Sequence, residues 1–383
     1  MKELKMGHQP AMPTELSKRS TMVRLLQLLI VLAIFFIAIS LMGGALKLLT
    51  KSYVKELLEQ ATSNPVVGLL LGILTTSIIQ SSSTTTTIVV TLTAAGTISL
   101  GSAVPIIMGA NIGTTVTNTL VSLAHIKQKQ EFQKALAAST VHDFFNIMVT
   151  CILFPLEVAF GILQKSAIRV QEFVVGADFG KVSGLKGAIK PIVSFMLDNL
   201  GPTICLILSL ILLFMSLTLM VKIMRAIFIH KMARVMDRVL FKNAVTAFIV
   251  GIIFTILVQS SSVTTSLVVP LVGAGILTLR QIFPYTLGAN IGTTITAFLA
   301  ALAFAAGAEG EAAATAGLGL TVAIVHLLFN IFGIVLVYPF KAIPIWMAEW
   351  LGRAMTISPK RAALFILLYV VLHVAPLAMF IFM

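Results

Sequence analysis

The stretch from Pro65 to Ala124 contains no aspartate, glutamate, lysine or arginine in 60 consecutive residues. A second long stretch, from Asn243 to Ala308, carries only Arg280. Soluble domains carry about 25% charged residues, whereas this chain carries 11%, with 58% hydrophobic residues and a mean hydropathy of +1.03. Leu25 to Leu46 adds 22 uncharged residues, and about 20 are needed to cross the hydrocarbon core of a bilayer. The sequence therefore predicts an all-α polytopic membrane protein.

The basic residues, which give a formal net charge of +13, indicate membrane topology rather than a nucleic-acid surface. They lie between the apolar segments, and no nucleic-acid-binding motif accompanies them. Lys and Arg are enriched in cytoplasmic segments, so we predict that residues 1–24 form a cytoplasmic tail and that Lys222–Lys242 is cytoplasmic as well. We expect no nucleic acid among the partners.

Two copies of one unit organise the chain. The motif QSSS at 80–83 recurs at 259–262, an offset of 179 residues. At the same offset, GANIGTT at 109–115 recurs at 288–294. From Gln80 to Thr117, 21 of the 38 aligned pairs are identical. Such self-similarity predicts an internal structural repeat.

A third shared element, HDFFN at 142–146 and HLLFN at 326–330, follows at an offset of 184 residues. It extends each copy to a Pro-containing segment near the end of the unit. The predicted organisation is a tail (1–24), transport repeat 1 (25–161), an extracellular or periplasmic loop (162–199), transport repeat 2 (200–340), and an interfacial helix with a C-terminal helix (341–383).

The distribution of charge predicts that the two repeats have inverted topology. One helix leads out of the cytoplasm, so the first QSSS unit is entered from outside. The second is entered from the cytoplasmic segment Lys222–Lys242. Inverted repeats are common in secondary transporters, where the substrate binds near the midplane at the repeat interface.

Each QSSS motif is predicted to form the tip of a re-entrant helical hairpin, in a repeat that also contains broken transmembrane helices. Hydroxyl-bearing residues run without interruption from Ser81 to Thr87. Because each helical residue turns by about 100°, some would face lipid unless the segment is broken or buried in protein. The flanking arms, Val66–Ile79 and Ile88–Ala95, are too short to span separately. The same holds for Val245–Val258 and Leu267–Gly275, the arms of the second motif.

A broken helix inside a membrane exposes groups that bind ions. A helix N-terminus offers free N–H groups to an anion, and loose carbonyls with side-chain oxygens suit a hard cation such as Na⁺. The glycines of GANIGTT are expected to let the backbone unwind there too. The alternative is ordinary polar packing between membrane helices, which explains an isolated Thr pair better than two paired motifs.

Polar residues also occur in the HDFFN and HLLFN elements. Asp143 is an intramembrane carboxylate, and its role is either cation coordination or coupling, or a structural one. For the paired His142 and His326, interhelical hydrogen bonds are favoured over ligation or proton transfer. Asn146 and Asn330 are paired in the same way.

Nothing in the sequence predicts an enzyme. No Walker A motif, metal-spaced His/Cys cluster or nucleophile motif occurs. Cys151 and Cys205 lie in apolar stretches and are expected to be packing residues. The segment Pro344–Gly352, with two tryptophans, is expected to lie at the membrane interface. We expect no cofactor.

These motifs closely resemble the type II sodium–phosphate cotransporter family, in its bacterial branch, over roughly Ser63–Gly352. The resemblance implies a multi-pass protein of the inner (plasma) membrane, with a cytoplasmic N-terminus, that imports inorganic phosphate with Na⁺. It places substrate and sodium at the two QSSS segments and the threonines that follow. The oligomeric state is left open.

On this resemblance, the predicted phosphate-binding residues are Gln80, Ser81, Ser82, Ser83, Gln259, Ser260, Ser261 and Ser262. The predicted sodium-binding residues are Thr84, Thr85, Thr86, Thr264, Thr265, Asn111, Thr114, Asn290, Thr293 and Asp143. Na⁺ is a co-transported ion rather than a cofactor. The alternatives are a sodium-coupled carrier of sulfate or a dicarboxylate, a passive ion channel, and a structural or receptor component of the membrane.

Overall fold

A computed structural model of the chain describes residues 18–49, 62–114, 116–175, 183–239, 243–307 and 311–358, together with 361, 364, 367, 368 and 371. This part of the chain is helical and contains no β-strand, which confirms the all-α prediction. Its α-helices are α1 (Lys18–Leu49), α2 (Pro65–Ile79), α3 (Ser82–Ala94), α4 (Leu100–Gly113), α5 (Val116–Ser122), α6 (Lys129–Phe160), α7 (Ile162–Val175), α8 (Ser183–Leu200), α9 (Pro202–Val239), α10 (Ala244–Val258), α11 (Ser261–Ser266), α12 (Val268–Gly273), α13 (Leu279–Gly307), α14 (Glu311–Val337) and α15 (Ala342–Met355).

Six helical segments within the described ranges are long and apolar enough to cross a membrane, as expected of a multi-pass protein. They are Met22–Leu49, Leu100–His125, Lys129–Phe160, Pro202–Phe228, Leu279–Ala306 and Thr315–Phe340. Three shorter apolar helical segments are among those that flank the QSSS motifs: Pro65–Ile79, Ala244–Val258 and Ser261–Gly273. Their re-entrant insertion and the inverted orientation of the repeats stay predictions.

The same local chemistry begins and ends the first short helix of each repeat. The Asn64 side chain caps α2 by accepting from the Val66 N–H at 2.9 Å, and the Asn243 side chain caps α10 by accepting from the Thr246 N–H at 2.9 Å. α2 ends at Gln80 and α10 at Gln259, both in the left-handed conformation with φ 57° and ψ 27°. Each helix is therefore closed at the first residue of QSSS.

Glycines bring pairs of helices into backbone contact in both repeats. A Cβ atom at Gly72 of α2 would collide with the carbonyl oxygen of Ile106 in α4, and one at Gly109 would collide with that of Leu69. In repeat 2, Gly251 and Gly288 make the equivalent contacts between α10 and α13. Small residues permit such close approach of membrane helices.

The expectation that GANIGTT unwinds is wrong for repeat 2. There the motif lies inside α13, which continues without interruption from Leu279 to Gly307. In repeat 1, α4 continues through Gly109 and ends at Gly113. The glycines serve close packing instead: a Cβ atom at Gly292 would lie 2.6 Å from the Cβ of Thr255.

The two repeats share one apolar core. Phe145 of α6 and Phe283 of α13 meet edge to face with ring centroids 6.1 Å apart, and both side chains are fully buried. The segment 162–199, predicted as a loop, contains the helices α7 and α8. Glu157 caps α7 by accepting from the N–H groups of Leu163 at 2.6 Å and Gln164 at 3.3 Å.

The predicted terminal elements are described only in part. Residues 1–17 of the tail and residues 372–383 of the C-terminal helix lie outside the described residues. The predicted interfacial helix is present as α15, where Trp346 and Trp350 are exposed.

Candidate functional site

The two QSSS motifs form helix breaks with the same geometry. Among the described non-glycine residues, only Gln80 and Gln259 have a positive φ, a conformation that costs about 1–2 kcal/mol per residue. Each glutamine links its own helix end to a later helix of the same repeat. Gln80 donates to the Ser77 carbonyl and accepts from the Thr117 hydroxyl at 2.8 Å.

Repeat 2 reproduces these contacts at the equivalent positions. The Gln259 amide donates to the Ile256 carbonyl at 2.6 Å and accepts from the Thr296 hydroxyl at 3.0 Å. Strained backbone conformations persist where the surrounding structure holds them, and they cluster at functional sites. The pair of glutamines is therefore a structural signature of the site in both repeats.

A new helix starts immediately after each break. The Ser81 side chain caps α3 by accepting from the Thr84 N–H at 3.2 Å, and Ser260 caps α11 by accepting from the Val263 N–H at 3.3 Å. The first N–H groups of a helix have no intrahelical acceptor and carry a partial positive charge. Both breaks thus present N–H groups and serine hydroxyls without a charged side chain in the motif.

The run of hydroxyls that follows the first break is buried inside protein. Every side chain from Ser82 to Thr87 is buried, as are Ser261, Thr264 and Thr265 in repeat 2. The Thr76 hydroxyl donates to the Thr85 hydroxyl at 3.0 Å. Four buried hydroxyl oxygens near the breaks have no hydrogen-bond partner among the described residues: Ser77, Thr86, Thr87 and Thr255. Buried polar atoms normally have partners, so these oxygens are available to a ligand.

The asparagines of the two GANIGTT motifs reach across the interface between the repeats. Asn290 of repeat 2 lies 2.5 Å from the His142 Nε2 and donates to the Asn146 Oδ1 at 3.1 Å. The Asn111 Oδ1 of repeat 1 lies 3.4 Å from the His326 Nε2 and 3.5 Å from the Asn330 Nδ2. Each histidine thus makes the expected interhelical contact through Nε2, whereas the Nδ1 atoms of both have no hydrogen-bond partner among the described residues.

A further contact between the repeats was not foreseen. The Asn118 side chain and the Thr265 hydroxyl are bonded to each other at 2.8 and 3.0 Å. The Ser262 hydroxyl approaches the Thr114 carbonyl at 3.5 Å. Asn118 is a polar residue in the uncharged stretch, and Ala297 stands at its equivalent position. This difference between Asn118 and Ala297 was the sequence feature that could have drawn attention to Asn118.

The remaining predicted residues are also interior. Asn111, Thr114, Asp143, Asn290 and Thr293 are buried. The hydroxyls of Thr114 and Thr293 each donate at 2.9 Å to a carbonyl of their own helix.

Exposure differs along the QSSS motifs themselves. Gln80 is exposed, whereas Ser81, Gln259, Ser260 and Ser262 are half-buried. No group of three or more His, Cys, Asp or Glu side chains in the described residues could hold a metal ion. The oxygen-rich, uncharged donor set suits a hard monovalent cation and an anion.

Comparison with known proteins agrees with these features. A family model described as Na⁺/Pi-cotransporter matches the chain twice, over residues 34–176 and 212–355, once in each repeat. Human sodium-dependent phosphate transport protein 2B is 31% identical over 86% of this chain and 61% of its own length. The 2A protein of Ovis aries is 32% identical over 80% of this chain and 59% of its own length.

The chain thus spans about three fifths of the length of these curated relatives. No solved structure matches it. The two family-model matches together cover more than half of the chain and include both QSSS and both GANIGTT motifs. The chain therefore belongs to the Na⁺/Pi-cotransporter family.

Proposed function

We propose that this protein is a secondary active transporter that imports inorganic phosphate coupled to Na⁺ across the inner (plasma) membrane. The observation that carries the proposal is the pair of equivalent helix breaks at Gln80 and Gln259, each followed by a capped helix N-terminus. Membership of the family and the names of its relatives support phosphate and Na⁺ as the transported pair.

In this proposal the two breaks hold phosphate. The backbone N–H groups at the starts of α3 and α11, with the serine hydroxyls of 81–83 and 260–262, donate to the phosphate oxygens. Gln80 and Gln259 fix the breaks and complete the site. No basic side chain occurs in either QSSS motif, so the motifs themselves do not neutralise a dianion.

Na⁺ supplies the missing positive charge. A charged group inside a membrane is costly unless it is paired, so phosphate binding requires cations beside it. We assign the cation ligands to Thr84, Thr85, Thr86, Thr264, Thr265, Thr114 and Thr293, the amides of Asn111 and Asn290, and Asp143. Inward movement of Na⁺ down its gradient then drives uptake, and exchange of conformation between the two repeats gives alternating access.

The test is uptake of radiolabelled phosphate into proteoliposomes, with and without an inward Na⁺ gradient. We expect uphill accumulation that requires Na⁺ and is lost in Gln80→Ala and Gln259→Ala. Gln171→Ala, on α7 and outside both breaks, is the matched control and should retain uptake. Absence of sodium-dependent phosphate uptake with folded protein would refute the phosphate assignment.

The same vesicles separate the alternatives. A carrier of sulfate or a dicarboxylate would show sodium-dependent uptake of that anion, which competes with phosphate. A passive channel would show flux without sodium dependence and without accumulation.

A further inference from the structure

Two buried histidines lie at the interface between the repeats, outside the QSSS breaks. His142 and His326 are each 1% exposed, and each belongs to a helix that follows the GANIGTT motif of its own repeat. Their ring Nε2 atoms nevertheless contact the GANIGTT asparagine of the opposite repeat. His142 of repeat 1 contacts Asn290, and His326 of repeat 2 contacts Asn111.

Two further asparagines, Asn146 and Asn330, add contacts between the two repeats. Asn146 lies one turn after His142 and accepts from the Asn290 amide at 3.1 Å, while its own amide donates to the Asn111 backbone carbonyl at 2.9 Å. Asn330 lies one turn after His326 and approaches the Asn111 Oδ1 at 3.5 Å. Each GANIGTT asparagine is thus held by a His and an Asn of the other repeat.

The histidine contacts of Asn290 and of Asn111 differ in length. The Asn290 Oδ1 lies 2.5 Å from the His142 Nε2, whereas the Asn111 Oδ1 lies 3.4 Å from the His326 Nε2. N–H···O bonds in proteins are usually about 2.7–3.2 Å long. The Asn111 amide also donates to the Ile107 carbonyl of its own helix at 2.9 Å, so Asn111 depends less on His326 than Asn290 depends on His142.

We propose that His142 and His326 are positioning residues that orient Asn290 and Asn111 for sodium binding from across the repeat interface. Occupation of a sodium site then depends on how closely the two repeats dock. This inference rests on the proposed function, since the sodium role of the two asparagines is part of it.

The role of the histidine is to fix an amide rotamer. Asn290 presents either its oxygen or its nitrogen to a cation, and only the oxygen can bind one. The Asn290 Oδ1 faces the His142 Nε2 and the Asn290 Nδ2 donates to Asn146, so both ends of the amide are fixed. The Oδ1 accepts one hydrogen bond in this arrangement and keeps a second lone pair for a cation. Loss of one buried partner costs about 1–3 kcal/mol, which corresponds to about 5- to 150-fold in an affinity.

The test measures sodium binding in two ways on the full chain. Thermal unfolding in detergent at rising NaCl, with choline chloride holding ionic strength constant, gives the half-stabilising sodium concentration without any need for transport. Sodium activation of phosphate uptake in proteoliposomes gives the half-saturating concentration and the maximal rate. The variants are His142→Ala, His142→Gln and His326→Ala, with Thr150→Ala, a buried hydroxyl on α6, as the matched control.

For His142→Ala we expect both sodium concentrations to rise about 10-fold, at an unchanged amount of folded protein. His142→Gln should restore most of the affinity, because its amide nitrogen can donate to the Asn290 Oδ1. His326→Ala, whose contacts are longer, should show about a 3-fold rise. Thr150→Ala should leave both values unchanged.

An unchanged half-stabilising sodium concentration in folded His142→Ala would overturn the proposal, as would a wild-type protein that sodium does not stabilise. If His142→Ala does not fold, His326→Ala decides by the same criterion. Sodium stabilisation of the wild type without phosphate uptake would instead refute the proposed function, and the thermal data alone would then decide the role of the histidines.

Discussion

The contact between α2 and α4 yields a prediction whose size can be worked out from the structure. A Cβ atom at Gly109 would collide with the Leu69 carbonyl oxygen and lie 2.9 Å from the Ile73 nitrogen. Both are backbone atoms, so no change of side-chain rotamer relieves the collision. Carbon atoms pack best at about 3.5–4.0 Å, so α2 and α4 would have to separate by about 1.5 Å.

Overpacking of a core costs about 1–3 kcal/mol. Since Gly109→Ala forces a whole helix to move, we expect the upper value, about 3 kcal/mol. With an unfolding entropy of about 2.1 cal/mol/K per residue, that lowers the thermal midpoint by about 4 °C. Gly288→Ala should have the same effect, because its Cβ atom would collide with the Phe248 carbonyl oxygen.

Gly101→Ala is the matched control on the same helix. The nearest atoms to its Cβ would be the Gln164 Oε1 at 3.5 Å and the Ser99 Oγ at 3.8 Å, which are ordinary contacts. Thermal unfolding of the three purified variants in one detergent gives the comparison. Equal midpoints for Gly109→Ala and Gly101→Ala would refute the close backbone packing of α2 on α4.

Three further outcomes follow from single contacts, each checked by thermal unfolding and phosphate uptake. Gln80→Gly should keep its thermal midpoint within about 2 °C, because relief of left-handed backbone strain (about 1–2 kcal/mol) offsets the loss of side-chain hydrogen bonds worth about 1 kcal/mol each. The variant should nevertheless lose phosphate uptake, and retained uptake would exclude a role for the side chain. Glu157→Ala should cost about 1–2 kcal/mol by uncapping α7, with sodium half-saturation unchanged. Asn118→Ala should cost about 1 kcal/mol by removing the contact with Thr265 across the repeats, since the Thr265 hydroxyl keeps its bond to the Ser261 carbonyl. The exposed Asn199→Ala should be neutral.

Local signals predicted the helix breaks well. The pattern placed the end of the first short helix at Ile79, and the structure ends α2 there. The change from an apolar arm to Gln-Ser-Ser is a strong boundary signal, because serine is a preferred N-cap. The hydroxyl run was correctly recognised as needing a break or burial in protein, and the structure has both.

Some sequence features are compatible with two structural roles, and for these the prediction chose the wrong one. Glycine permits both an unwound backbone and close helix packing, and the intact α13 shows that packing decides at Gly288. The helices in 162–199 were not assigned from the sequence, because the segment was treated only as the connection between the two repeats. Lys165, Arg169 and Glu172 recur at helical spacing, which was a usable sign of an amphipathic helix.

The contacts across the repeats lay beyond sequence reasoning. Aligning the two copies pairs His142 with His326, which indicates equivalence but not contact. The actual partners, Asn290 and Asn111, are 148 and 215 residues away along the chain. Only the packing of α6 against α13, and of α14 against α4, brings them together.

The crossed His–Asn contacts also bear on how such a protein could have arisen. A single copy of the unit would lose the His–Asn contacts that the other copy supplies here. If the unit once existed as a separate chain, two copies would have to pair to form these contacts. Linking the two copies in one chain makes that pairing intramolecular, so it no longer depends on protein concentration.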